Sequence, residues 1–363
     1  MNIAIFTPNQ NPYSETFIQA HKNHLKGKVF YYYGSDAHIQ LEGQQRLMPL
    51  YRYKFLRVYA KLFRKPSSYL WQQRVLYSLK ANNIETVLVE YGTHAHDLKD
   101  MLRASGLPVA VHFHGYDASI DGVIKKCGNY KEVFAIAKKI IVVSKVMAHR
   151  LLALGCPEDK LVYNVYGPNP DFETVVPRFT KKQFVAIGRF TDKKAPYYTI
   201  MAFKEVLERH PDARLLMAGD GALLNMCKNL VKQYHITEHV HFLGVVTPEQ
   251  YRSLLAESLA FVQHSITADT GDMEGTPLAV LEASAAGLPV ISTIHAGIPD
   301  VIVHGETGLL CEEHDVEAMS KHMMMLLDDL ELAKSMGANG KRHIKAHFSL
   351  KRHIDSLQDI LYS

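Results

Sequence analysis

The stretch Glu274-Gly-Thr-Pro-Leu-Ala-Val-Leu-Glu282 places two carboxylates eight residues apart around a Gly-Thr-Pro turn that opens a helix. Thr276 suits the N-cap, and Pro277 suits the first helical position, where its missing N–H costs nothing. An amphipathic run over 278–288 then leads into a strand-like segment over 289–293. A helix N-terminus carries roughly +0.5 of an elementary charge and can hold an anionic oxygen. Glu274 precedes that terminus and Glu282 lies about two turns inside it. One carboxylate can therefore face a ligand at the helix mouth while the other reaches hydroxyls further along the groove. A nucleotide-sugar, with its diol, diphosphate and hexose in a row, fits this arrangement. On the bare spacing alone, a solvated helix face with one capping carboxylate is the better fit, so the neighbouring segments have to decide.

Outward from this turn, short β-rich runs alternate with helical patterns along the whole chain, the rhythm of parallel sheets covered by helices. Strands are expected over 2–6, 28–33, 86–91, 108–114, 139–144 and 161–166, and again over 184–190, 213–219, 240–244, 259–264, 290–293 and 308–311. The segment 167–180 has three prolines and little periodicity, and reads as a linker. These patterns divide the chain into 1–166, the linker 167–180 and 181–348, with a last helix over 349–363. Each half reads as a doubly wound, Rossmann-like domain, which binds ligands at the carboxyl ends of its strands.

A length of 363 residues suits two domains, and 47% hydrophobic with 21% charged residues is the balance of a globular protein with a full core. Cys127, Cys156, Cys227 and Cys311 are scattered without a C-x-x-C pair, so they read as reduced thiols rather than a zinc site or disulfide framework. The start of the chain has no signal-peptide pattern and no window approaches a membrane span, which places the expectation in the cytosol. Residues 46–80 hold nine Lys/Arg and no acid, interleaved with eight aromatics from Tyr51 to Tyr77. Such a segment suits the anionic inner face of a membrane. A nucleic-acid strand or an ordinary helical face with core aromatics are the alternatives; the confinement of the basic run to this one segment argues against nucleic acid.

Three further segments carry chemistry. After the strand ending at Gly188, Arg189 and Lys194 stand five residues apart in a loop that could hold a diphosphate, with Lys193 an alternative. Gly219-Asp220-Gly221 forms a short turn after another strand. His114 ends a strand in the first half, and His112 lies two residues earlier on the same side, deeper.

Taken in order, these segments resemble retaining GT-B glycosyltransferases, family 4 in particular. Glu274 and Glu282 are similar to its Glu-x7-Glu motif, and Gly188-Arg189…Lys194 to its Gly-Arg-x4-Lys element, with Ala195 where a glycine is usual. Gly219 and Gly221 resemble its Gly-x-Gly turn beside the nucleotide base, and His114 its histidine on the donor sugar. Ser14-Glu15-Thr16-Phe17 resembles a subgroup that builds exopolysaccharides of the colanic-acid type. The resemblance implies two Rossmann-like domains facing each other across a cleft, with residues 349–363 packed back on the first. It implies hexose transfer from a nucleoside diphosphate sugar to a hydroxyl of a glycan, in particular a lipid-linked one. Arg189, Lys194 and the N–H groups of Gly275 and Thr276 would neutralise the leaving diphosphate, with Pro277 shaping that turn. Glu282 would take the ribose diol, and Glu274 a sugar hydroxyl. Retention of configuration is implied, with Glu274 as nucleophile or as electrostatic stabiliser. UDP-hexose is the first donor choice and GDP-mannose the second. No cofactor or metal is expected, since no Asp-x-Asp triplet occurs and Asp269/Asp272 are spaced differently. A phosphorylase on the same scaffold and a non-catalytic carbohydrate-binding subunit are the rival classes.

Overall fold

The computed structural model describes residues 1–10 and 15–363. Ser14, the first residue of the Ser14–Phe17 phrase, lies outside the described residues. Two compact units are present: Met1–Val143 with Met147–Asn164 and His353–Ser363, and Ser144–Val146 with Val165–Arg352.

Among the described residues, the first unit is built on a seven-stranded sheet. Its strands are β1 (Asn2–Thr7), β2 (Lys28–Tyr33), β3 (Gln40–Leu41), β4 (Thr86–Glu90), β5 (Val109–His112), β6 (Lys139–Val142) and β7 (Leu161–Tyr163). The order is β3-β2-β1-β4-β5-β6-β7, parallel throughout except for the two-residue β3. Ile3, Ile5, Val87, Leu88, Val111 and Ile140 are wholly buried. Continuous apolar runs of this kind belong to strands covered on both faces.

The second unit carries β8 (Gln183–Ile187), β9 (Arg214–Ala218), β10 (Val240–Gly244), β11 (Ala260–Gln263), β12 (Val290–Thr293) and β13 (Gly308–Cys311). They form a six-stranded sheet of order β10-β9-β8-β11-β12-β13, with every pairing parallel. The order reverses between β8 and β11, and the carboxyl ends flanking such a switch point are where open α/β sheets bind ligands. In the first unit the reversal falls between β1 and β4.

Several expected strands end two or three residues early. Val109–His112 stops before His114, and Leu161–Tyr163 before Tyr166. The residues beyond them are buried loop, whose apolarity reads in sequence like more strand.

The basic segment forms two helices, Leu50–Leu62 and Ser68–Ala81. The second buries Trp71, Val75 and Leu79, so its aromatics partly serve the core. The first buries only Ala60. Tyr51, Phe55, Val58 and Leu62 recur at helical spacing and stand 68–75% exposed. Arg52, Lys54, Arg57 and Lys61 are exposed beside them. No helix among the described residues is long and apolar enough to cross a membrane.

Candidate active site

In the second unit β8 ends at Ile187, and the chain turns through Gly188 and Arg189 into a short 3-10 turn, Asp192–Lys194. Ala195 then adopts φ +33° before the helix Pro196–Arg209. A left-handed backbone is strained for a residue with a Cβ, which gives the usual glycine there a conformational reason. Arg189 is exposed and pairs with no carboxylate among the described residues. Lys194 Nζ lies 3.0 Å from Glu274 Oε1, with both side chains largely buried. Lys193, the alternative, has its ammonium committed elsewhere: it donates to Asp272 Oδ1 at 3.0 Å and to the Met273 carbonyl at 3.2 Å. It tethers the loop that carries Glu274.

That loop follows β11 and is held from a second side by His295, to which the sequence pattern assigns no role. His295 Nε2 accepts the Glu274 N–H at 3.1 Å, and its Nδ1 lies 2.6 Å from Glu313 Oε1. Because an N–H can only donate, the shared proton sits on Nδ1 and points to Glu313. Glu313 also accepts the Thr267 N–H at 2.8 Å. Burial pushes the Glu313 carboxyl up, but Thr267 and His295 outweigh it and hold it below the usual range. For Glu274 burial is again the largest influence and an upward one. Lys194 and Lys193 overcome it and bring the carboxyl down to about 2, so Glu274 is ionised at neutral pH.

The helix after this loop is Leu278–Ala286, with Pro277 as its N-cap. This corrects the expected cap: Thr276 and Pro277 each stand one step further out. The physical reason is a tertiary contact. The Gly297 N–H donates to the Gly275 carbonyl at 2.9 Å, and a Cβ on Gly297 would come within 2.0 Å of Thr276 Oγ1. The Gly275–Thr276 turn is thus folded onto Gly297, and Thr276 is buried there. Glu282 sits in the second turn of the helix, hydrogen-bonded to Tyr251. Burial pushes its carboxyl up to about 8, with the Tyr251 hydroxyl opposing.

Gly219 and Gly221 follow β9. Gly219 has φ +132°, and a Cβ there would lie 2.0 Å from the Gly188 carbonyl. The Phe190 N–H donates to the Asp220 carbonyl at 2.9 Å. The Gly-x-Gly turn therefore lets the β8 and β9 loops pack backbone on backbone, which seats Arg189 in its place.

In the first unit His114 lies just beyond β5 and is 8% exposed. Its Nε2 is 2.8 Å from Glu90 Oε2, and Phe17 and Tyr91 stand against the ring, each with centroids 4.6 Å away. His112 is fully buried, and burial takes its imidazole well below the usual range. His21, Glu90 and His112 offer ligand atoms within 4.8 Å of one another. The His21 Nδ1 to Glu90 Oε1 separation of 2.7 Å is a hydrogen-bond distance. Two ligands sharing a tetrahedral ion at about 2.1 Å stand about 3.4 Å apart. Glu90, His21 and His353 were not singled out in the sequence; nothing local marks a glutamate at a strand end or a histidine in a helix.

Comparison with known proteins follows the same lines. Residues 171–343 match the family model described as glycosyl transferases group 1. The amylovoran biosynthesis glycosyltransferase AmsK of Erwinia amylovora is 30% identical over 239 residues, 65% of this chain and 58% of that protein. A GDP-mannose-dependent monoacylated alpha-(1-6)-phosphatidylinositol monomannoside mannosyltransferase of Corynebacterium glutamicum is 32% identical over 177 residues, 48% of this chain and 46% of its own length. The chain thus spans about half the length of these curated relatives. Among solved structures, Anabaena Alr3699/HepE, determined in complex with UDP-glucose, superposes with a TM-score of 0.78 at 13% identity, covering 100% of this chain and 99% of that one. The fold is that of the GT-B glycosyltransferases.

Proposed function

We propose that this chain, whose residues 171–343 match the family model described as glycosyl transferases group 1, transfers a hexose from a nucleoside diphosphate sugar to a glycan hydroxyl in polysaccharide biosynthesis. The observation that carries this reading is the grouping at the β8/β11 switch point: Lys194 pairs with an ionised Glu274, in a loop that also bears Arg189, which pairs with no carboxylate among the described residues. In the reaction the anomeric C–O bond to the diphosphate breaks and a bond to the acceptor oxygen forms. Negative charge grows on the departing phosphate, so preorganised cations are the largest catalytic contribution. Arg189 and Lys194 supply them, with the Gly275–Thr276 turn beside Pro277 closing on the phosphates.

Glu274 holds a sugar hydroxyl and offers its fixed negative charge to the oxocarbenium-like centre. Glu282 takes the ribose diol, and the Gly219/Gly221 turn, packed on Gly188, borders the base. His114 contacts the donor sugar. The reaction retains configuration, the diphosphate itself taking the acceptor proton, and it needs no metal. A UDP-hexose is the preferred donor, supported by the likeness to a fold solved with UDP-glucose. GDP-mannose is second, supported by the Corynebacterium relative.

The acceptor is lipid-linked, and the enzyme works at the inner face of a membrane. Support comes from the helix Leu50–Leu62, whose exposed apolar stripe is flanked by Arg52, Lys54, Arg57 and Lys61. Cations beside an apolar stripe complement an anionic lipid surface.

The deciding experiment is a thermal-shift screen against UDP-, GDP- and ADP-sugars, followed by product analysis with the donor that binds. A ligand at 100 times its Kd stabilises by about 2.7 kcal/mol, which is readily seen. No shift with any nucleotide-sugar, or full turnover by Glu274→Ala, would overturn the assignment.

A further inference from the structure

Between the start of the helix Leu50–Leu62 and the last turn of the helix Ser68–Ala81 lies a cavity of about 350 Å³, the size of a small-molecule pocket. Gln44, Arg46, Pro49, Leu50, Tyr77 and Asn82 stand in its wall, and no lining residue is an acid. The Asn82 carbonyl accepts from Asn2 Nδ2 at 2.9 Å, at the start of β1. The cavity therefore sits by the amino ends of the first sheet, whereas an α/β sheet holds its substrates at the carboxyl ends.

Part of the wall is fixed and part is uncommitted. Ser78 shares a hydrogen bond of 2.9 Å with the Tyr32 hydroxyl, and its carbonyl accepts from Asn82 Nδ2 at 2.9 Å. The side chains of Gln44 and Arg46, by contrast, hydrogen-bond to nothing among the described residues. None of the nine Lys/Arg of residues 46–80 pairs with a carboxylate there either. The acids that flank the segment are engaged elsewhere: Glu42 takes Lys22 Nζ at 2.7 Å, and Glu85 Oε2 accepts the Asn2 N–H at 2.6 Å. Arg52 lies over the Tyr77 ring, its guanidinium 5.1 Å from the centroid, so a second cation stands on that side of the cavity. Unneutralised cations around a pocket without an acid select an anion, and the guanidinium fork suits phosphate.

The apolar surroundings narrow the choice of anion. Leu50 lines the cavity and is 45% exposed, one residue before Tyr51 of the exposed stripe Tyr51, Phe55, Val58 and Leu62. Cavity and stripe are continuous, so a ligand that uses both carries phosphate and hydrocarbon together. We propose that the cavity binds the headgroup phosphate of an anionic lipid through Arg46 and Gln44, and so sets how the Leu50–Leu62 helix lies on the bilayer. The inference rests on the membrane reading of that helix under the proposed function. The lipid bound here is a surface ligand rather than the glycan acceptor.

The test is titration calorimetry of the whole protein with monomeric dihexanoyl phosphatidylglycerol, and with inorganic phosphate as the comparison. The lipid should bind, and Arg46→Gln should weaken it about tenfold to a hundredfold, the scale of one hydrogen bond to a charged group. Ala81→Trp fills the cavity without changing a charge and should abolish binding. Phe55→Ser with Leu62→Ser should leave monomer binding unchanged while lowering co-sedimentation with phosphatidylglycerol vesicles. No binding of the monomer, or binding that survives both Arg46→Gln and Ala81→Trp, overturns the proposal. So does inorganic phosphate binding as tightly as the lipid, which makes this a site for the free ion, and so does displacement of the lipid by an equal concentration of single-stranded DNA. A parent protein that sediments with vesicles but does not bind the monomer keeps the membrane reading and loses the headgroup site; monomer binding without sedimentation does the reverse.

Discussion

Lys194 Nζ stands 3.0 Å from Glu274 Oε1, so the cation that follows β8 and the carboxylate that follows β11 form one ion pair at the switch point of the second sheet. The pairing keeps Glu274 charged in a buried setting, and it keeps Lys194 at the mouth of the turn where a diphosphate would settle. Under the proposed function, a donor phosphate arriving there would share Lys194 with Glu274 rather than find a free ammonium.

Removing one partner of this pair should therefore do two things. Lys194→Ala leaves Glu274 buried and unpaired, at a cost of about 3–5 kcal/mol in stability. Donor kcat/KM should fall at least 100-fold. Thermal melts and steady-state kinetics read the two effects; a variant with unchanged kcat/KM would remove Lys194 from the phosphate site.

His295 should matter for rate more than for binding. It holds the Glu274 N–H through Nε2 and is backed by Glu313. His295→Ala leaves that N–H without its partner, at about 1–3 kcal/mol in stability. We expect kcat to drop tenfold or more with donor KM nearly constant. A drop confined to KM would mean that His295 shapes the donor pocket instead.

Glu282 predicts a pH dependence with a definite sign. Its carboxyl is neutral in the folded chain up to about pH 8, against an ordinary value near 4.5. A raised folded value contributes stability that is fully present below pH 4.5 and is lost as pH rises to about 8. Glu282→Gln should therefore show a smaller fall in Tm between pH 5 and pH 9 than the parent. If the ribose diol needs the carboxylate, donor affinity should strengthen up to about pH 8 and then level off. Calorimetric Kd values across pH 6–9 check this, and an identical profile in Glu282→Gln would refute it.

The Leu50–Leu62 helix gives a binding prediction. Neutralising Arg52, Lys54, Arg57 and Lys61 removes about 1 kcal/mol each near an anionic surface. Co-sedimentation with vesicles containing phosphatidylserine should fall more than tenfold, and Phe55→Ser with Leu62→Ser should weaken it independently of salt. Undiminished sedimentation of both variants would show that the stripe does not meet lipid.

Much of this architecture was legible from local pattern. The strands Lys28–Tyr33, Val240–Gly244, Val290–Thr293 and Gly308–Cys311 have the bounds that apolar runs and punctuating residues indicate. A strand or helix is specified by neighbours within a few residues, so periodicity and Gly/Pro breaks suffice. Helix ends are harder. Thr276 reads as an N-cap until Gly297, twenty-one residues on, draws the turn outward.

Residue type and spacing alone determined that two doubly wound sheets would form, and that Arg189, Lys194, Glu274 and Glu282 would follow strands or open a helix. Tertiary structure decided which of these groups meet and in what charge state. Lys193 and Lys194 are adjacent in sequence, yet one tethers Asp272 and the other pairs with Glu274. Glu274 and Glu282 are both glutamates of one motif, yet one is driven down to about 2 and the other up to about 8. His21 and His353 are 332 residues apart and in hydrogen-bond contact. The reason is physical: ionisation and proton placement depend on solvent exclusion and on charges within a few ångströms, and those neighbours are set by how the sheets and loops pack.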